Sequence, residues 1–390
     1  MLANIKDITR LTAIRFIVLL GLVSLFADVT YEGARSIAGP FLAVLGASGT
    51  AVGIVAGLGE LLGYGLRLIS GAISDRTRQY WAITLAGYAI NLFAAPLMAL
   101  AGRWEIAAML MIAERIGKAI RTPARDAMLS HATQATGRGW GFGLHEAMDQ
   151  IGAVAGPLVV SAVLLLRDDY PAAFAVLAIP AVLAIGALLL ARWLYPRPRE
   201  LEIARPQLKP QGLPRVYWLY LAGAALAAAG FADFPLIAFH FEKNGIAPQN
   251  LIPVLYAVAM GVDAVAALVF GRLFDRIGPV VLAAVTGLSA LFAPLVFLGG
   301  LPAAAVGMAL WGIGMGAQES ILRAAVAGMV HADRRGTAYG IFNTGYGVAW
   351  FLGSALMGVL YDASLSALIA FSVVVQLGAV GMFWRLRGLR

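Results

Sequence analysis

Gly71-Ala72-Ile73-Ser74-Asp75-Arg76 returns as Gly271-Arg272-Leu273-Phe274-Asp275-Arg276, 200 residues later. Each copy follows one long apolar stretch and precedes another. A Gly-x-x-x-Asp-Arg unit repeated at about half the chain length makes the protein two related halves. Its setting makes both halves membrane-embedded.

Composition agrees. Of 390 residues, 61% are hydrophobic and 13% charged, about half the charged share of a soluble domain. Trp81 to Ala101 and Ala363 to Trp384 carry no charge. Pro279 to Gln318 is uncharged too, and Gly299-Gly300-Leu301-Pro302 divides it into two crossings. Twelve spans are expected, at roughly 12–39, 47–70, 81–101, 105–121, 140–165, 171–193, 216–240, 250–270, 279–298, 302–322, 338–360 and 365–384. The first follows Lys6, Asp7 and Arg10 but contains Asp28, Glu32 and Arg35, so it reads as a span and not a cleaved leader.

A net charge of +8 can point to nucleic acid, but its placement here points to topology. With the N-terminus inside, the outer turns hold Arg103, Arg167 and Lys243. The inner segments hold Arg76, Arg78, Arg125, Arg197, Arg199, Arg272, Arg276, Arg385 and many more. That asymmetry places both termini in the cytoplasm and removes the case for nucleic acid; a bacterial inner (plasma) membrane is the expected location. The chain has no Cys, and its four histidines are scattered. No metal site, cofactor or enzyme chemistry is therefore expected, and no phosphate loop appears.

Tyr195 to Arg215 carries five prolines and seven charges. It reads as a cytoplasmic linker (195–215) between bundles at 1–194 and 216–390. The halves also align at Phe142-Gly143 and Gly156 with Tyr339-Gly340 and Gly353, and at Gly117 with Gly316.

The repeated loop resembles that of the major facilitator superfamily of transporters, over nearly the whole chain. The family pattern is Gly-x-x-x-Asp-Arg-x-Gly-Arg. Here Arg78 stands where Gly is expected in the first copy, and Pro279 replaces a basic residue in the second. The resemblance implies an all-α integral membrane fold, twelve transmembrane helices in two pseudo-symmetric six-helix bundles, with substrate near the midplane. It makes Gly71, Asp75, Arg76, Arg78, Gly271, Asp275 and Arg276 gating candidates. Gly143, Gly152 and Gly156-Pro157 match the fifth-helix spacing of the antiporter branch, without its closing glycine pair. That match favours export. Arg115, in Glu114-Arg115-Ile116-Gly117-Lys118, looks like the fourth-helix Arg of proton-coupled members, with Lys118 where Gln is usual.

Ionisable groups inside a bilayer are costly and therefore face protein or water. Asp28, Glu32 and Arg35 fall at i, i+4 and i+7 of one face, with Tyr31 beside them. Desolvation favours the neutral acid and a nearby Arg the anion, a competition suited to carrying a proton. Asp28 and Glu32 lead as proton-coupling candidates, followed by Glu146 and Asp149. Candidates for binding a small-molecule substrate are Tyr31, Arg35, Glu60, Arg67, Arg115, Asp233, Asp263, Glu319, Asn343 and Tyr346. Glu114 and Lys118 can pair at i, i+4. Lys118 and Arg121 are expected to snorkel to the interface, and Arg121, Arg125 and Asp126 to lie at or beyond it. The expected partners are the lipid bilayer, a small-molecule substrate and protons, with the monomer as the working form. Export of a small organic molecule against protons is the leading expectation. Transport of an anionic metabolite or metal-chelate, lipid flipping, and a non-transporting sensor or scaffold are the alternatives.

Overall fold

The structure is a computed structural model and describes residues 2–136, 138–196, 213–278, 280–329 and 335–386. The described residues form helices and no strand. The first half holds α1 (Leu2–Val44), α2 (Gly49–Thr77), α3 (Tyr80–Leu97), α4 (Trp104–Thr136), α5 (Arg138–Arg167), α6 (Tyr170–Val176) and α7 (Ala178–Leu194). The second holds α8 (Arg215–Gly230), α9 (Phe234–Lys243), α10 (Leu251–Ile277), α11 (Val280–Ser289), α12 (Phe292–Leu298), α13 (Leu301–Met329), α14 (Arg335–Ala363) and α15 (Leu365–Arg385). Most of the linker, 197–212, lies outside the described residues.

The fifteen helices described make twelve passes because three passes are broken, between α6 and α7, α8 and α9, and α11 and α12. Each break lies about one turn ahead of a proline: Pro180, Pro235 and Pro294. Proline has no N–H for the carbonyl four residues back, and its ring crowds that carbonyl. Pro40, Pro123 and Pro157 sit inside helices that continue through them.

Among the described residues, nine passes are long and apolar enough to cross a bilayer. The pass through α4 is not among them, because Glu114, Arg115, Lys118, Arg121, Arg125 and Asp126 fall in its body.

The chain packs as two compact units, 1–34, 66–101 and 109–206 in one, and 35–65, 102–108 and 207–390 in the other. The first is centred on Phe16, Leu20, Val23, Tyr88, Leu92, Met128, Leu129, Ala184 and Leu188, all nearly inaccessible. In the second, Phe231, Phe234, Tyr256, Trp311 and Trp350 form a continuous aromatic core. There α2 lies directly on α14. A Cβ on Gly53 would stand 2.5 Å from the Ser354 carbonyl oxygen and 2.8 Å from Gly358 Cα.

The two copies of the repeated loop end alike. Gly278 closes α10 at φ 70°, and Arg78 follows α2 at φ 59°. Both lie in the left-handed region that glycine enters without strain. The family's glycine at this point thus has a backbone reason, and Arg78 takes a positive φ there at a cost.

Asp362, at the end of α14, caps α2. Its Oδ1 accepts from Gly49 N at 3.0 Å, and its Oδ2 from Thr50 N and Thr50 Oγ1, both at 2.7 Å. Partial burial alone would raise its pKa, but these bonds and the Lys243 charge hold the carboxyl below the ordinary carboxylate range. A depressed pKa stabilises the fold above the unfolded value, near 3.9, and that stabilisation is lost as pH falls through the folded value. Asp362→Asn is therefore expected to cost about 1 kcal/mol of stability at pH 7. The gap to the parent protein should narrow below about pH 4. Thermal unfolding in detergent at several pH values checks this; a gap independent of pH would contradict the charged cap.

Candidate functional site

Glycines bring α5 onto α1. A Cβ on Gly152 would lie 2.4 Å from the Leu25 carbonyl oxygen and 2.8 Å from Asp28 Cβ; one on Gly156 would lie 2.4 Å from the Val29 carbonyl oxygen. This approach brings the part of α5 that carries Asp149, one turn before Gly152, onto α1 at Asp28. Gly143, the first glycine of the same pattern, meets nothing within 4 Å.

α4 supplies the positive charge. Lys118, Arg121 and Arg125 recur at three- and four-residue spacing and share one face. Arg121 is 1% exposed, with its guanidinium carbon 4.3 Å from the Tyr88 ring centroid and 5.6 Å from that of Tyr31. Lys118 Nζ stands 4.0 Å over Tyr31 and 3.9 Å from Glu32 Oε1. Both side chains are received inside the bundle, by aromatic faces and, for Lys118, by the Glu32 carboxylate. The Arg125 side chain is largely enclosed as well. It donates to Ser24 Oγ at 3.2 Å, bonds Asp126 Oδ1 at 2.8 Å and reaches Asp149 Oδ2 at 4.0 Å. The expected Glu114–Lys118 pair does not form. Glu114 accepts from Asn91 Nδ2 at 2.6 Å and pairs with Arg115 Nε at 3.4 Å.

His145 completes the cluster. Its Nε2 is 3.0 Å from Ser24 Oγ and its Nδ1 is 3.5 Å from Asp149 Oδ2. Asp28 is 5% exposed and faces Asp149, Lys118, Arg121 and the Tyr31 hydroxyl. Asp149 Oδ1 is buried with no hydrogen-bond partner.

Three acids from α1 and α5 therefore meet three bases from α4. The Glu32–Lys118 and Asp149–Arg125 contacts, at 3.9 and 4.0 Å, are longer than the ~2.8 Å of a locked charge-assisted bond. Such contacts can be exchanged.

Other candidates fall elsewhere. Glu146 stays exposed on α5. In the second unit Arg35 Nη2 meets Glu60 Oε1 at 3.1 Å, Tyr346 donates to Gln318 Oε1 at 2.8 Å, and Tyr64 packs edge-on to Tyr346. Asp233 and Asp263 are buried, and Asn343 and Arg67 partly so. Asp75, Arg76 and Arg78 are exposed. Gly71 has only Pro123 near it, and Gly271 nothing within 4 Å, so packing does not demand either glycine. The side chains of Asp275 and Glu319 lie outside the described residues. Among those described, no three His, Asp or Glu gather as a metal site.

Comparison with known proteins decides the family. A Major Facilitator Superfamily profile matches residues 20–354 and 249–388. The chain belongs to the major facilitator superfamily. An uncharacterized protein of Mycobacterium tuberculosis is 43% identical to this superfamily member over 97% of this chain and 94% of its own length. An uncharacterized MFS-type transporter of Methanocaldococcus jannaschii is 27% identical over 89% and 88%. The crystal structure of the nucleoside transporter NupG superposes with a TM-score of 0.70, at 15% identity, over 96% of this chain and 98% of that one. At that identity the likeness is one of fold. The protein is thus an all-α, multi-pass membrane protein of a transporter superfamily.

Proposed function

We propose that this chain is a proton-coupled secondary transporter of the bacterial inner membrane, exporting a small organic molecule by alternating access. The observation that carries the reading is the Asp28–Asp149 apposition, packed by Gly152 and ringed by α4 bases. Two carboxylates near each other in a low-dielectric interior repel, and gaining or losing a proton changes that repulsion. Long contacts to Lys118 and Arg125 let the bases follow. One charge moved down ~100 mV supplies about 2.3 kcal/mol. Export is supported by the α5 glycine spacing, whose Gly152 and Gly156 form the α1 contact. The positive-inside asymmetry supports cytoplasmic termini and linker, with bundles at 1–194 and 216–390.

Lys118 and Arg121 favour a second reading, in which the cargo carries an anionic group. Thermal stabilisation of the purified monomer across cationic, neutral and anionic organic compounds separates the two. Stabilisation by cationic or neutral compounds, lost in Asp28→Asn, supports the first; stabilisation by anions alone, lost in Lys118→Gln, supports the second.

The repeated loops are read as gates that pair in one conformer and part in the other. Asp75→Asn is expected to slow transport about tenfold or more with normal folded yield, because a state-specific contact of ~1.4 kcal/mol is removed. Wild-type flux in that variant would leave the loop a topological feature only.

A further inference from the structure

Glycines press α3 onto α4. A Cβ on Gly87 would stand 2.6 Å from Arg121 N and 2.8 Å from the Gly117 carbonyl oxygen. The Arg121 backbone is thereby held against α3, and its guanidinium lies over the Tyr88 ring of α3 and near the Tyr31 ring of α1. Arg121 is 1% exposed and Tyr88 is fully buried. Among the described residues, Arg121 has no hydrogen-bond partner and no ion pair, and its Nε and Nη1 are sealed from solvent. The Tyr88 hydroxyl is buried without a partner too. The bases on either side of Arg121 are differently placed. Lys118 meets Glu32, and Arg125 bonds Ser24 and Asp126.

A ring face offsets the charge of a guanidinium but is a poor acceptor for its N–H groups. Buried donors left unmet are costly and rare, so each calls for a partner. The chemistry of the two groups says which kind. A guanidinium presents a planar fork of N–H donors and no acceptor, and a phenol hydroxyl can turn to donate beside it. Donors grouped in this way repel a metal ion or a cationic group. They match a ligand that brings several acceptor oxygens and a negative charge.

We propose that Arg121 and Tyr88 form an oxyanion-binding site inside the first unit, for a carboxylate or phosphate group. The guanidinium holds the group through its fork, and the Tyr88 hydroxyl donates to one of its oxygens. Because Arg121 is enclosed, the group enters as α1 and α4 part. It comes either with the cargo or as a small free anion. The first source deepens the anionic-cargo reading above and rests on it; the site itself does not.

Thermal unfolding of the purified full chain in detergent tests the site, at fixed ionic strength with chloride as the reference anion. Acetate and inorganic phosphate form one arm, benzoate and phenyl phosphate the other, and benzamide is the uncharged control. The expected result is an unfolding midpoint that rises with anion concentration in at least one arm and does not move with benzamide. Arg121→Gln should abolish the rise. Tyr88→Phe keeps the ring and every charge, and should weaken the apparent affinity about tenfold. A rise with the small anions supports a free ion in the site; a rise with the aromatic anions alone supports a group carried by the cargo. No rise in either arm would overturn the proposal and leave the donors to ordered water. Unchanged affinity in either variant would overturn it too. Should Arg121→Gln fail to fold, Tyr88→Phe decides alone. If the midpoint rises as expected while no compound is transported, the transporter reading fails and the site stands.

Discussion

Asp28→Asn or Glu32→Gln, or both, should lower gradient-driven accumulation in proteoliposomes at least tenfold while sparing downhill exchange. Each substitution keeps the shape of the side chain and removes the exchangeable proton. Downhill flux needs only the alternation of states, whereas uphill flux needs that alternation tied to protonation. A tenfold loss corresponds to about 1.4 kcal/mol, within the ~2.3 kcal/mol per charge that the membrane potential offers. Asp28 stands against Asp149, and Glu32 stands 3.9 Å from Lys118, so the two variants separate acid–acid from acid–base coupling. If both retain uphill transport, the carrier is Asp149, which is partly buried, ahead of Glu146, which is exposed. Parallel flux and counterflow assays on each variant check the split.

Gly156→Leu is expected to have the largest effect on folding. Its Cβ would stand 2.4 Å from the Val29 carbonyl oxygen and 2.9 Å from Gly33 N, backbone atoms that cannot rotate away. Overpacking of this kind costs about 1–3 kcal/mol, and more where backbone must move. The unfolding midpoint in detergent should fall by several degrees, with most of the protein lost at expression. Gly143→Leu is the control, because a Cβ there meets nothing within 4 Å. Equal stability of the two variants would show that α5 does not need its glycines to reach α1.

Much of this was legible in the sequence, because membrane spans are written in long apolar runs that nothing else explains. The repeat at Gly71 and Gly271, and the one-face spacing of Asp28 and Glu32, needed only helical periodicity. The broken passes were legible in part: Pro180, Pro235 and Pro294 each mark a break, yet Pro40, Pro123 and Pro157 do not. Sequence alone cannot say which freed carbonyls find another donor, as Ala232 O does in Trp311.

The partners were the least legible. Lys118, Arg121 and Arg125 lie near a span end, where snorkelling is the ordinary outcome. Their inward turn depends on Tyr31, Tyr88 and Glu32 from other helices. Their three- and four-residue spacing was the available signal, since three bases on one face are costly unless something receives them. His145 and Asp149 share a face of α5 by their four-residue spacing, but only the fold brings Ser24 of α1 to the ring. The glycine pattern on α5 carried more than flexibility, because Gly152 and Gly156 decide which acid meets Asp28.

The central claim is that protons and cargo move in opposite directions through this chain. The direct measurement is lumenal pH in proteoliposomes prepared with an acidic interior and a trapped pH-sensitive dye. A fluorescent organic compound that stabilises the purified protein is then added outside. The account predicts that the compound accumulates inside as the lumen turns alkaline, and that neither occurs in vesicles without protein. Accumulation with no change in lumenal pH, and no response of flux to the imposed gradient, would contradict it.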